Sequence, residues 1–479
     1  MYLGLDLGTS GVKALLMDDH QRLVASADAS LRLSRPFTGW SEQDPADWIS
    51  ASVSAIGELR DNHDLGCVRA IGLSGQMHGA TLLSAADQVL RPCMLWNDTR
   101  AHEEAAALDA DTRFRALTGN IVFPGFTAPK ALWVRNHEPA TFSQVARILL
   151  PKDYLRLWLT GEHVSEMSDA AGTSWLDTGA RDWSDDLLHA TDLGRENMPR
   201  LVEGSEVSGT LRATLAAELG LPAGIPVAGG GGDNAASAIG AGVISAGQAF
   251  CSLGTSGVLF AASEGYAPDP DTALHTFCHA LPSKWHQMGV ILAATDALNW
   301  YGALVGVSPA ELTGEIDGAH PPGRALFLPY LGGERTPHND ARVRGVFLGL
   351  EHSTDRAAGT RAVLEGVAFA LADSLAAMRA TGTNMRGVMA LGGGARSQAW
   401  LQIIANALGL PVMVPDDGDF GAAFGAARLG MLAAGQAEFA DLTPPRVARE
   451  IEPITEHAQA FADAYARYKT AYSAVKDLS

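Results

Sequence analysis

LGTSGV stands at Leu7–Val12 and again, letter for letter, at Leu253–Val258. Gly8 and Gly254 are 246 residues apart in a chain of 479, so the repeat falls near the midpoint. The flanks match as well. YLGLDLGTSGVKALLMD (2–18) and AFCSLGTSGVLFAA (249–262) both read apolar run, Gly-Thr-Ser-Gly turn, apolar run. That order predicts a β-hairpin in each half. A repeat at half-length predicts a duplicated, two-domain chain. Reuse of a tight structural hairpin is one reading. The other is a pair of phosphate-binding turns, because the N–H groups of a Gly/Ser/Thr loop form an anion-binding concavity and the hydroxyls add donors.

The two copies differ in their charges. Asp6 stands where the second copy has Ser252, and Lys13 where it has Leu259. An acid beside a phosphate loop is unfavourable unless it faces a cation, so Asp6 is a candidate for holding Mg2+.

Outward from the hairpins, the strands and helices alternate, which implies α/β layering in both halves. WSEQDP (40–45) opens a helix with Asp44 at the N-cap and Pro45 at the first position. Its expected apolar face is Trp48, Ile49, Val53 and Ile56. Residues 68–74 read as a buried strand running into GQMHGA (75–80), and 149–161 as a helix carrying Lys152 and Asp153 in a structural role. IPVAGGGGDNAASAIGAG (225–242) reads as strand, four-glycine loop and small-residue helix, after which the chain divides into 1–243 and 244–479. VMALGGGARSQAWLQIIANAL (388–408) is strand, glycine loop, helix, where a backbone can approach a ligand closely. Phe461, Tyr465, Tyr468 and Tyr472 form one helical stripe, read as a docking face.

Composition narrows the function. Lys and Arg number 35 against 54 Asp and Glu, a net charge of −19, which argues against a nucleic-acid surface. With 47% hydrophobic residues there is ample material for cores. Four cysteines give neither a disulfide framework nor a CxxC pair, and no leader or membrane-spanning run is visible, so a cytoplasmic protein is expected. The 52 glycines exceed the usual fraction of about 7%. They are expected in ligand loops.

Two positions stand out for chemistry. Asp233 follows Gly229–Gly232 at a helix start with Asn234 beside it; it is either an ordinary N-cap carboxylate or the group that accepts a proton from an attacking hydroxyl. His78 is either a satisfied structural histidine or, at the C-terminal end of a strand, a ligand contact together with Gln76 and Met77. No GxSxG elbow and no Walker A loop occurs.

These motifs taken together resemble the FGGY carbohydrate kinase family. The resemblance rests on DLGTSGVKA from Asp6, WSEQDP from Trp40, GQMHGA from Gly75, LWND from Leu95, GFTAPKALW from Gly125, PKDYLR from Pro151 and SDAAGT from Ser168. It continues through GGGDNA from Gly230, SLGTSGV from Ser252, FCHALP from Phe277, LPYLGGERTPHND from Leu328, GVFLGL from Gly345, AVLEGV from Ala362 and GGGARS from Gly392. It is colinear over nearly the whole chain. It implies two duplicated ribonuclease H-like domains of the actin-type ATPase fold with an active-site cleft between them, sugar bound by the first and ATP by the second. The implied activity is ATP-dependent, Mg2+-requiring phosphorylation of D-xylulose at its 5-hydroxyl. By the same resemblance Asp233 is the proton acceptor, Asp6 is needed near Mg2+ (with Asp233 the other metal candidate), and Gln76, Met77, His78 and Asn234 face the ketose. Gly8, Thr9, Ser10 and Lys13, with Gly254, Thr255 and Ser256, match the phosphate loops. Gly393, Gly394 and Ala395 match the adenosine motif, and Asn299 and Trp300 are weaker adenosine-side candidates. The resemblance is compatible with a homodimer. Two departures, Ala358-Gly359 and Ala131, fall in scaffold segments. Rival readings are a kinase for ribulose, fuculose, gluconate or glycerol, an actin-like ATPase, and a silent sugar sensor.

Overall fold

In the computed structural model, which describes residues 1–416 and 420–478, the two copies of LGTSGV are the turns of two equivalent hairpins. Tyr2–Leu7 (β1) and Gly11–Met17 (β2) form the first, and Leu23–Ser30 (β3) extends it antiparallel. Ala70–Gly75 (β4) lies parallel to β1. Val207–Thr210 (β5), Pro226–Ala228 (β6) and the two-residue Gly231–Gly232 (β7) complete a sheet of order β5-β6-β4-β1-β2-β3, with β7 beside β4. In the second half the hairpin is Ala249–Leu253 (β8) with Gly257–Ser263 (β9). His275–Cys278 (β10), Trp285–Ile291 (β11), Val388–Leu391 (β12), Val412–Pro415 (β13) and Val447–Ile451 (β14) give the order β10-β11-β9-β8-β12-β13-β14. β1-β2-β3 corresponds to β8-β9-β11, and the parallel neighbour β4 corresponds to β12. The duplication legible in one hexapeptide extends over the sheets.

Both faces of the first sheet are covered, so β1 and β4 read as continuous apolar runs and not as alternating ones. Helix Pro45–Asn62 covers one face. Asp44 caps it by accepting from the Ala46 amide, and Pro45 opens its first turn. Its buried face is Trp48, Ala51, Ala55, Ile56 and Leu59; Ile49 and Val53, expected there, are half-buried because the helix is rotated toward the small residues. The opposite face is covered by Asp233–Gly240 and by Ala422–Ala433, a helix from the far end of the chain that packs on β1 and β4. This contact is backbone against backbone. A Cβ at Gly4 would strike the Ala423 carbonyl, one at Gly72 the Ala426 carbonyl, and one at Gly425 the Ala236 carbonyl. Part of the glycine surplus assigned to ligand loops therefore serves close packing between the halves.

Residues 76–206, inserted between β4 and β5, build small sheets and helices that share a core with Phe250, Phe260, Phe277 and Met288 of the second half. Ala131 is fully buried there in helix Thr127–His137. Gly359 is matched to its neighbour: any side chain would meet the Tyr301 hydroxyl, which donates to the Arg356 carbonyl at 3.3 Å. The aromatic stripe of helix Ala458–Val475 docks as expected, with Phe461 and Tyr468 buried against Phe369. Among the described residues no helix is long and apolar enough to cross a membrane.

Candidate active site

The carbonyls of the two hairpin turns are tied to protein. Gln43 Nε2 donates to Thr9 O at 2.8 Å and the Leu31 amide to Ser10 O at 2.8 Å. In the second turn, the Thr295 amide and hydroxyl donate to Gly254 O at 2.9 and 2.7 Å, and the Ala294 amide to Thr255 O at 2.8 Å. The amides of Thr9, Ser10, Thr255 and Ser256 donate to no protein acceptor among the described residues. Carbonyls fixed inward and amides left outward suit an anion. Thr9 is also pinned through its hydroxyl, which donates to Gln76 Oε1 at 3.1 Å and accepts from Trp96 Nε1 at 2.9 Å.

Asp6 sits on β1 in register with Ser74 of β4, which is in register with Gly231 of β7. Asp233 begins its helix two residues after Gly231, so the two carboxylates emerge from the same end of the sheet, two strand spacings or roughly 10 Å apart sideways. Lys13 lies directly across the hairpin from Asp6, and its Nζ is 3.9 Å from Asp28. Asp233 Oδ1 accepts from the Asn234 amide at 2.7 Å and from Asn234 Nδ2 at 2.9 Å, while Oδ2 accepts from no protein group among the described residues. Burial lifts this carboxyl above the ordinary range, and the two Asn234 bonds hold it partly back. Among the described residues no group of three or more acidic, histidine or cysteine side chains is arranged to hold a metal ion by itself. One or two carboxylates beside phosphate-binding turns fit Mg2+, which keeps waters and takes phosphate oxygens as ligands.

Met77 and His78 form the wall next to Asp233. A Cβ at Gly232 would come within 2.9 Å of Met77 Sδ, and one at Gly172 within 2.6 Å of His78 Nδ1. His78 has φ +70°, a strained value for a non-glycine residue. It is held by Lys130 Nζ and Thr127 Oγ1, which both donate to its carbonyl at 3.0 Å, and by stacking on Phe126 with centroids 4.4 Å apart. Its Nδ1 faces Gly172 O at 2.7 Å and so carries the proton. Burial, with repulsion from Lys130 and Arg335, lowers its pKa to about 3, so the ring is neutral and Nε2 is a hydrogen-bond acceptor. Gln76 differs from expectation. It is buried, and its amide bridges Gln43 Oε1 at 3.1 Å and Thr9, so it supports the phosphate turn.

A cavity of about 590 Å³ opens between the halves, from Asn234 and Ser237 of the Asp233 helix to Ser252, Gly392 and Ala395. Gly393 and Gly394 lie in the adjoining single 3-10 turn. Arg396 and Arg449 also line the cavity. Arg396 lies within the quoted GGGARS motif, whereas no quoted motif contains Arg449. Asn299 and Trp300 are outside this lining: both are exposed on helix Thr295–Val305, and Trp300 stacks on Phe327. Trp96, bonded to Thr9, was quoted only as part of a motif, because its place in the cleft depends on a contact across 87 residues.

Two duplicated sheets with paired phosphate turns and a carboxylate at the cleft define an actin-type phosphotransferase, and the family models agree. The N-terminal domain of the FGGY family of carbohydrate kinases matches residues 1–240 and its C-terminal domain residues 249–434. The chain belongs to the FGGY family of carbohydrate kinases. It is 51% identical over 437 residues to a xylulose kinase of Escherichia coli (strain K12), covering 91% of this chain and 90% of that protein. It is 36% identical to a xylulose kinase of Bacillus subtilis (strain 168), covering 100% and 97%. A crystal structure described as a xyloylose kinase from Brucella ovis has TM-score 0.98 at 60% identity, covering 100% of both chains. A gluconate kinase from Lactobacillus acidophilus has TM-score 0.93 at 25% identity, covering 99% and 98%, so the fold alone does not select the sugar.

Proposed function

We propose that this chain is an ATP-dependent xylulose kinase that makes D-xylulose 5-phosphate and ADP. The observation that carries the reading is the first turn of the Asp233 helix. Gly232 abuts Met77 on the sugar side, and Asn234 lines the nucleotide cavity on the other. The likeness to xylulose kinases supports the choice of sugar. Residues 1–243 form the sugar half and 244–479 the nucleotide half. Free, mostly buried cysteines support a cytoplasmic enzyme. A homodimer is part of the proposal, to be tested by light scattering of the purified chain.

In this reading the His78 Nε2 orients the ketose, and Asn234, bonded to Asp233 Oδ1, orients that carboxylate. Asp233 Oδ2 takes the proton of the 5-hydroxyl as that oxygen bonds to the γ-phosphorus of ATP. The bond from γ-phosphorus to the β–γ bridging oxygen breaks, and ADP leaves with its electron pair. The turn amides of Thr9, Ser10, Thr255 and Ser256 face the phosphate oxygens. Mg2+ neutralises charge on those oxygens when bound; Asp6 would hold it, with Asp233 the second candidate. Closure of the halves around the sugar excludes water, which would otherwise compete as acceptor.

A coupled ADP-release assay over D-xylulose, D-ribulose, L-fuculose, D-gluconate and glycerol tests the reading. D-Xylulose should have the highest kcat/KM, by about tenfold or more. A higher value for another acceptor moves the chain to that sugar. Sugar-independent ADP release supports a plain ATPase, and no release at all a sensor.

A further inference from the structure

Behind the glycine loop lies a buried ion cluster that phosphoryl transfer does not itself require. Lys152, Asp153, Arg156, Glu166 and Asp169 are all 0% exposed. Lys152 Nζ is 3.0 Å from Asp153 Oδ1, 3.6 Å from Glu166 Oε1 and 3.4 Å from Asp169 Oδ2. Arg156 Nη1 is 2.7 Å from Asp153 Oδ1 and donates to Val164 O at 2.6 Å, and its Nε donates to Ser208 Oγ at 2.9 Å. Two cations face three acids. Burial, with the neighbouring acids, pushes the Asp169 carboxyl well above the ordinary carboxylate range against the pull of Lys152. Removing charges from water in this way gives little net stability. What the cluster does give is fixed geometry.

That geometry reaches both ends of the four-glycine run. Arg156 Nη2 donates to the Gly229 carbonyl. Glu166 accepts from the Ser168 hydroxyl at 2.9 Å and from the Ser168 and Asp169 amides at 2.7 and 2.9 Å. The Ser168 oxygen, so oriented, accepts from the Gly232 amide at 3.0 Å. Gly232 is the residue before Asp233. Four consecutive glycines have little conformational preference of their own, so two bonds from a rigid block fix where the helix, and with it the carboxylate, begins.

We propose that Ser168 is a positioning residue for phosphoryl transfer: carried by Glu166 and the Lys152–Arg156 cluster, it clamps the Gly232 amide and so aims Asp233 at the sugar hydroxyl. The inference rests on Asp233 being the proton acceptor. Ser168 is fully buried, out of reach of a ligand in the cleft. Its loss therefore acts on the reaction step and leaves ground-state binding in place.

The test compares steady-state kinetics of Ser168→Ala, Ser168→Thr and Asp233→Ala in the full-length enzyme, with melting temperatures measured alongside. Ser168→Ala should lower kcat about 10- to 100-fold with KM for xylulose and ATP within about twofold of wild type. Ser168→Thr, which keeps the hydroxyl, should recover most of the loss. If Ser168→Ala does not accumulate as folded protein, Ser168→Cys, a near-isostere with a weaker acceptor, is read in its place against the same expectation. A kcat within about twofold of wild type for the hydroxyl-free variant overturns the proposal, as does a loss confined to KM or one that threonine fails to recover. Asp233→Ala separates the two failures. If it is inactive while Ser168→Ala is normal, only the clamp falls. If it keeps wild-type kcat, the base assignment on which the clamp rests falls first.

Discussion

Asp233 is poised by its neighbour. Asn234 gives it two hydrogen bonds on one oxygen and leaves the other open, while burial keeps its pKa above that of a solvated carboxylate. A base in this state works only when ionised, so kcat should fall on the acid side with a limb above the ordinary carboxylate range. Asn234→Ala removes a bond that favours the ionised form, which raises the pKa, so the acid limb should move to higher pH in a pH–rate profile. A limb that moves down, or not at all, counts against Asp233 as the titrating group. Asp233→Ala should reduce kcat about 10²- to 10⁴-fold in the ADP-release assay with the melting temperature nearly unchanged. Burial lowers the His78 pKa to about 3, so the ring is neutral through the range of the Asp233 limb and above. It thus adds no limb of its own, and its replacement by Ala should raise KM for the sugar more than it lowers kcat.

Among the elements, the contact between Ala422–Ala433 and the first sheet has the least tolerance. Gly72 faces the Ala426 carbonyl with no flexible side chain to yield, so Gly72→Ala forces the helix off β4. A loss of about 3 kcal/mol is expected, read as a lower denaturant midpoint. The same substitution at Gly57, which meets nothing within 4 Å, should be neutral or slightly stabilising because Ala favours the helix. Equal effects at the two positions would show that the close approach is not what demands glycine. The hairpins were legible element by element, since an apolar run, a Gly-Thr-Ser-Gly turn and a second apolar run admit few alternatives. The helix Ala422–Ala433 could be recognised as a helix, but not its partner, because nothing local says that its small residues face glycines about 350 to 420 positions earlier.

At the scale of the molecule, the cavity proposed for the nucleotide is built from both halves, with Asn234 and Ser237 on one side and Gly392, Ala395 and Arg396 on the other. The proposed mechanism has the halves approach around the sugar. Small-angle scattering should show a smaller radius of gyration with D-xylulose and a non-hydrolysable ATP analogue together than with either alone, and no change would argue against closure. Chelation of Mg2+ should abolish ADP release while leaving sugar binding measurable by calorimetry, because the Met77–His78 wall needs no metal. Restoration by added Mg2+ completes the test.

The sequence by itself determined the duplication and the two Gly-Thr-Ser-Gly turns, and it marked Asp6, Asp233 and the Met77–His78 pair as candidates, because each is a local signal: a repeated hexapeptide, a carboxylate after glycines, a polar motif at a strand end. Family resemblance then supplied their chemistry. Only the tertiary structure decided that Gln76 braces Thr9, that Arg396 and Arg449 enter the cavity, that Asn299 and Trp300 lie outside it, and that a buried ion cluster clamps the Asp233 loop. Those facts depend on which distant segments meet. Burial and hydrogen-bond partners are properties of the packed chain, and periodicity along a single segment carries no record of them.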